Sequence, residues 1–120
     1  MKATCHCGAV ELAVDFPDGL GDLKRCNCSI CRRKGAVMAY TAVENLRVVK
    51  GADKLSVYSF HTHTAKHYFC SVCGIYTHHQ ARIDPGKYGV NTGCLEGLPP
   101  EALENVLMSD GINHPLDAKT

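Results

Sequence analysis

The sequence predicts a mainly β fold: short antiparallel sheets stapled by bound metal. Three observations predict it. Short segments of alternating apolar and polar residues recur between turn-forming stretches, and no segment carries the period of a long amphipathic helix. The eight cysteines fall into three tight clusters and one outlier. At 120 residues the chain fits one domain spanning 1–120, and a domain of this size gains from a metal staple because its core is modest.

The elements follow in order. VELAVDF (10–16) places Val10, Leu12, Val14 and Phe16 on one face and Glu11 and Asp15 on the other, which is a half-buried strand. PDGLGD (17–22) is turn chemistry. AVMAYTAV (36–43) and LRVV (46–49) read as strands around a turn at Glu44-Asn45, and LSVYSF (55–60) alternates again after the KGADK turn. AKHYFC (65–70) runs into a turn at SVCG and pairs back with IYTHHQ (75–80) as a hairpin. DPGKYG is a loop, YGVNTGCL (88–95) a last strand, and PPEALENVLMS holds one short helical turn opened by Pro99-Pro100.

Composition narrows the function. A formal net charge of +1 argues against a general nucleic-acid binder, which is usually strongly basic. No apolar run approaches a membrane span, and the start, MKATCHCGAV, lacks the apolar core of a signal peptide, so a cytoplasmic location is expected. In a reducing compartment, closely spaced C-x-C and C-x-x-C groups read as metal-binding or catalytic rather than as disulfides.

The clusters are Cys5 with Cys7 in CHC, Cys26 with Cys28 and Cys31 in CNCSIC, and Cys70 with Cys73 in CSVCG; Cys94 stands apart. On a strand, residues i and i+2 share a face, so Cys5 and Cys7 can aim at one ion. A C-x-x-C turn does the same, and the following Gly74 supplies the backbone freedom it needs. Four soft thiolates in a tetrahedron suit zinc, and pairing the two dyads gives a closed structural site of Cys5, Cys7, Cys70 and Cys73. An exchange of partners among the clusters stays open at this point. The trio Cys26, Cys28 and Cys31 remains. Three ligands and an open fourth place form the usual catalytic zinc pattern; a fourth ligand from Cys94, His67, His78 or His79 would close the site instead. Spacing alone leaves both open. An open trithiolate site loses metal or oxidises more readily than a closed tetrahedron, so of two zinc ions the second is expected to be the labile one.

Arg32, Arg33 and Lys34 follow Cys31 directly. Cations beside thiolates lower their pKa values, and arginine suits bidentate contact with the carboxylates of an anionic substrate; a solvated basic turn is the plain alternative. His6, between two ligand cysteines, should point away from them. Of the consecutive pair His78 and His79, one side chain faces in and one out, so one can reach a site as an acid–base group or donor. Arg32, Arg33 and His79 are therefore the candidate substrate-binding residues. His61, His63 and His114 are expected at the surface or in satisfied core positions, and Cys94 is expected as a small buried apolar residue in a strand.

Taken in order, CHCGAV, CNCSICRRKGA, HYFCSVCGIYTHH and YGVNTGCLEG resemble the glutathione-dependent formaldehyde-activating enzyme family, which includes the centromere protein V type. The resemblance runs from Cys5 to about Gly97. It implies an Mss4-like fold of twisted short antiparallel sheets, a structural zinc on Cys5, Cys7, Cys70 and Cys73, and a second zinc on Cys26, Cys28 and Cys31. It also implies that the fourth place of the second zinc is open to a substrate thiol. The implied reaction joins glutathione and formaldehyde into S-hydroxymethylglutathione, and the reverse is carbon–sulfur lyase chemistry. The function expected on this basis is a zinc-dependent, carbon–sulfur lyase-like enzyme acting on a thiol adduct of formaldehyde or another small aldehyde. Its partners would be a glutathione-like thiol and that aldehyde, with neither nucleic acid nor membrane. The alternative is a non-catalytic, zinc-stabilised Mss4-like binding module.

Overall fold

The computed structural model describes residues 1–113 and Leu116. In chain order its elements are β1 (Lys2–Thr4), β2 (Glu11–Val14), β3 (Lys24–Cys26), a single helical turn α1 (Cys31–Lys34), β4 (Met38–Ala42), β5 (Leu46–Lys50), β6 (Leu55–Tyr58), β7 (Lys66–Cys70), β8 (Tyr76–Gln80), β9 (Lys87–Asn91) and β10 (Leu107–Ser109). The fold is mainly β, as the alternation requires. Two sheets are present among the described residues: a three-stranded one ordered β1-β2-β5 and a seven-stranded one ordered β10-β3-β4-β9-β8-β7-β6. All pairs are antiparallel except β10 with β3, which run parallel. No helix among the described residues is long and apolar enough to cross a membrane.

The principal core lies where the small sheet meets the large one. Val10, just before β2, and Leu12 and Val14 on its inward face are almost completely buried against Ala3, Cys70, Val90, Cys94 and Leu95. Side chains of this kind each contribute roughly 1.5–3 kcal/mol when removed from water. A single bridge between Ala3 and Leu95, with the Glu96 N–H donating to the Lys2 carbonyl at 2.8 Å, ties the edge of the small sheet to the loop after β9.

Several elements differ from the sequence reading, each for a local reason. CHC is not on a strand: Cys5 follows the end of β1 and the chain turns at once, with the Gly8 N–H donating to the Cys5 carbonyl at 3.3 Å. The strand expected over 55–60 stops at Tyr58, because the chain then turns through His61 and His63, both exposed and both in the left-handed region at φ 56°. The strand expected over 88–95 stops at Asn91, whose side chain accepts from the Gly93 N–H at 3.0 Å and starts a 3-10 turn over Thr92–Cys94. Cys94 is buried as expected, but in that turn. The helical turn Pro100–Leu103 forms, and the chain then adds β10 alongside β3, a parallel pair that local pattern does not reveal. His78 and His79 do face opposite sides of β8, yet both are buried, because aromatic rings cover each side. Tyr68 stacks on His78 at 4.5 Å, and Tyr40 meets His79 edge-on at 5.8 Å. His114 lies outside the described residues.

One glycine holds the small sheet against the first cysteine loop. Gly51 has φ +82°, and a Cβ there would sit 1.9 Å from the Ala9 carbonyl oxygen. Both the conformation and the space exclude a side chain. Gly51→Ala is expected to cost at least about 2 kcal/mol in a denaturant titration of the metal-loaded protein. An unchanged midpoint would show that the loop yields instead.

Candidate metal centre

The first sulfur cluster is built by two tight turns. The turn between β1 and β2 carries Cys5 and Cys7; the turn between β7 and β8 carries Cys70 and Cys73. Gly8 at φ +81° and Gly74 at φ +79° let the two turns close. Backbone amides point at the sulfurs: the Val10 N–H donates to Cys5 Sγ at 3.3 Å, and those of Val72 and Cys73 to Cys70 Sγ at 3.4 and 3.5 Å. Such donors favour the thiolate. The N–H groups of Cys7 and Ile75 pull Cys73 down to about 6. Burial resists ionisation of Cys5, but the Val10 N–H and the neighbouring thiols outweigh it and its pKa lies below the usual thiol value.

The four Sγ atoms lie within 4.8 Å of one another, with Cys5–Cys7 at 3.7 Å and Cys7–Cys70 at 3.8 Å. A tetrahedral ion with Zn–S bonds of about 2.3 Å separates its sulfurs by about 3.8 Å. The donor set and its spacing therefore fit zinc, and this is the pairing of dyads that the sequence favoured. Cys94 lies beside this cluster: the charges of Cys5 and Cys73 add to burial in pushing its thiol up to about 11. None of the eight cysteines forms a disulfide.

The second cluster, Cys26, Cys28 and Cys31, has its sulfurs within 4.8 Å of one another, all half-buried. Cys26 ends β3 and Cys31 begins α1. The Cys28 N–H donates to Cys26 Sγ at 3.5 Å and the Cys31 N–H to Cys28 Sγ at 3.4 Å. Hydrogen bonds from the Cys26 and Cys31 thiols pull the Cys28 pKa down. Among the described residues no further cysteine, histidine or carboxylate joins the trio at that spacing. His67 and His79 line a neighbouring wall instead, with their Nδ1 atoms engaged by Lys34 and Tyr76 respectively.

That wall is the feature the sequence did not single out. Lys34 lies three residues after Cys31 on α1 and so shares its helical face. Its Nζ sits 3.1 Å from His67 Nδ1 and 3.4 Å from the centre of the Tyr76 ring. Tyr76 Oη in turn hydrogen-bonds His79 Nδ1. Burial draws Lys34 down to about 8, against the opposing pull of the Cys31 and Cys28 thiolates. Burial also lowers His67 to about 4 and His79 to about 3, with the Lys34 charge adding to both, so these imidazoles are neutral at pH 7. Arg32 and Arg33 are exposed by comparison. Arg33 Nη1 donates to the Ser29 carbonyl at 2.6 Å, beside a groove of about 300 Å³ lined by Ser29, Ile30, Arg33, Tyr58 and Phe60. His6, between the two cysteines of the first turn, is exposed.

The segment after β10 docks on the trio loop. Asn27 Oδ1 accepts from the N–H groups of Gly111 at 2.7 Å and Ile112 at 3.1 Å. A Cβ on Gly111 would sit 2.5 Å from Cys26 Sγ and 2.6 Å from Cys28 Cβ. Nothing in the local pattern of SDGIN reveals this contact across 84 residues of chain.

The family model described as "Glutathione-dependent formaldehyde-activating enzyme" matches residues 1–108. A curated Halomonas elongata protein, provisionally given that same name, is 33% identical over 81 residues, covering 61% of this chain and 51% of its own length. The chain thus spans about half the length of that relative. A crystal structure of a Rhodobacter sphaeroides protein superposes with a TM-score of 0.86 at 54% identity, covering 91% of this chain and 100% of that one.

Because Gly111 leaves no room for a methyl group beside the Cys26 sulfur and Cys28 Cβ, Gly111→Ala is expected to weaken metal binding at the trio about tenfold or more while sparing the first cluster. Competition with a chelator, following release of the two metals separately, checks this. Equal release from both clusters would refute it.

Proposed function

The chain belongs to the glutathione-dependent formaldehyde-activating enzyme family, and on that premise we propose that it is a zinc-dependent, carbon–sulfur lyase-like enzyme that makes or cleaves the adduct of a glutathione-like thiol with formaldehyde or another small aldehyde. The observation that carries this reading is the contrast between the two sulfur clusters. One has four donors on amide-rich turns; the other has three half-buried sulfurs beside a polar wall. The first set suits a closed structural ion and the second an ion with an open place. Zinc at the trio would supply the affinity that keeps a substrate sulfur as a thiolate, a nucleophile at neutral pH.

The chain's own residues would do the rest. Arg32 and Arg33 follow the last cysteine of the trio and are exposed, where a guanidinium can meet a carboxylate of the thiol substrate. The groove beside Arg33, with Tyr58 and Phe60 along it, gives that substrate's backbone a place to lie. His79 is too buried to bind a large substrate. Through its bond to Tyr76 it fixes the ring over which Lys34 is held. We place the protein in the cytoplasm, where thiols stay reduced and glutathione is abundant.

Two experiments test the reading. In protein carrying cobalt at both clusters, glutathione is expected to change the thiolate charge-transfer and d–d bands saturably, and a small plain thiol only weakly. Bands unchanged by glutathione would mean a closed second site and favour a non-catalytic binding module. In a substitution series, Cys28→Ser is expected to lose one metal equivalent and remain folded. Cys73→Ser is expected to lose folding, because a structural ion's binding free energy is folding free energy. Two variants equally folded and equally loaded would overturn the division of roles.

A further inference from the structure

Lys34 is not explained by the thiol-holding role of the trio. Three cations follow Cys31, and two of them, Arg32 and Arg33, are exposed. A solvated arginine suffices to offset charge on nearby sulfurs. Lys34 instead folds inward from the same helical turn as Cys31, and its ammonium is held in place from two sides. His67 Nδ1, on β7, is 3.1 Å away, and the Tyr76 ring, on β8, is 3.4 Å from it. His67 is only 4% exposed and is itself stacked against Phe60 at 6.1 Å and packed near His79 at 5.5 Å. An ammonium has three donors and no acceptor. The neutral His67 nitrogen takes one donor and a ring face, which accepts only weakly, takes the second; among the described residues no carboxylate pairs with the charge. The thiolates of Cys31 and Cys28 are close enough to act on that charge.

We infer that Lys34 is a catalytic residue: its ammonium, fixed by His67 and Tyr76, donates a hydrogen bond to the aldehyde oxygen of the thiol adduct. This rests on the function proposed above and adds the group that recognises the oxygen. In the addition, the thiolate sulfur forms the S–C bond, the π pair of the carbonyl moves to oxygen, and that oxygen takes a proton from water. In the reverse direction the hydroxyl returns its proton to water, the carbonyl re-forms, and the S–C pair leaves on sulfur. Lys34 keeps its own protons throughout. It stabilises the oxygen most when that atom carries charge, which is the condition for lowering the barrier rather than only improving binding.

The test uses two thioethers that differ by one oxygen, S-hydroxymethylglutathione and S-methylglutathione, with glutathione as reference, in calorimetric titrations of the zinc-loaded protein. The wild type is expected to bind the hydroxymethyl compound about tenfold tighter than the methyl compound, the scale of a charge-assisted hydrogen bond. Lys34→Met, which keeps the length of the side chain, is expected to bring that ratio to near one and leave glutathione and S-methylglutathione binding within about twofold of wild type. Should Lys34→Met fail to fold, Lys34→Gln is held to the same criterion. A wild type without the preference, or a variant that keeps it, overturns the role of Lys34 while leaving the thiol site standing. Absence of glutathione binding to the wild type would instead overturn the functional reading, and this inference with it.

Discussion

Everything in this fold is placed by the meeting of two turns, Cys5–Cys7 and Cys70–Cys73, that lie 63 residues apart between Cys7 and Cys70. The first turn belongs to the three-stranded sheet and the second to the seven-stranded one, so their sulfurs form the junction of the two layers. The spacing of those sulfurs, at 3.7 and 3.8 Å, is what a tetrahedral ion imposes and what uncompensated thiolates would resist. A chain of this length with a modest core gains folding free energy from such a staple. The amides that point into the cluster matter as much as the cysteines. They disperse the negative charge of the sulfurs over the backbone of both turns, and the two left-handed glycines let them do so.

The same junction fixes the second site. Strand β8 leaves the Cys70–Cys73 turn immediately, so the position of that turn sets where Tyr76 and His79 fall in the seven-stranded sheet. Cross-strand register then brings His67 opposite His79, and Tyr40 approaches from β4 by way of β9. Lys34 reaches into this aromatic wall from the helical turn that begins at Cys31. Burying an ammonium is unfavourable, and an aromatic face with a neutral imidazole offsets only part of that cost. The negative charge of the trio supplies a further part, so trio and lysine stabilise each other electrostatically. The neutral state of His67 and His79 follows from the same arrangement, since a second cation beside Lys34 would be repelled as well as desolvated.

What was legible in the sequence was whatever is encoded locally. Alternation in VELAVDF gave the buried face of β2, and the C-x-x-C-G pattern gave a hairpin turn, because both depend on neighbours within a few residues. The pairing of cysteine dyads was also legible, since donor type and ligand number constrain it without knowledge of the path between them. Other features were not. The C-x-C spacing of CHC suits a strand, where i and i+2 share a face, but a tight turn brings the same two sulfurs together equally well. The parallel strand β10, the seat of Gly111 on the trio and the inward course of Lys34 depend on contacts across tens of residues. A basic run such as RRK looks like a solvated turn in sequence. Only the packing of β7 and β8 separates the third residue of that run from the first two.

Two glycines show how the second site acquires its shape. Gly89 and Gly111 do not lie in the left-handed region, so their backbone conformations would admit other residues. Space excludes them. A Cβ on Gly89 would meet His79 Cε1 at 2.6 Å and Tyr40 Cε1 at 2.9 Å, and one on Gly111 would meet the Cys26 sulfur and Cys28 Cβ. One glycine lies behind the polar wall and the other against the sulfurs. Removing a side chain at Gly89 lets two rings pack down on β9, which leaves His79 in reach of Tyr76 and hence Tyr76 under Lys34. Its absence at Gly111 lets the backbone approach the trio closely enough for Asn27 to hold two amides. A closed structural site needs neither device, because four sulfurs around an ion define their own geometry. Three sulfurs do not, and the remaining constraint has to come from the protein. The close backbone approaches at Gly89 and Gly111 supply it, one behind the polar wall and one against the half-buried trio.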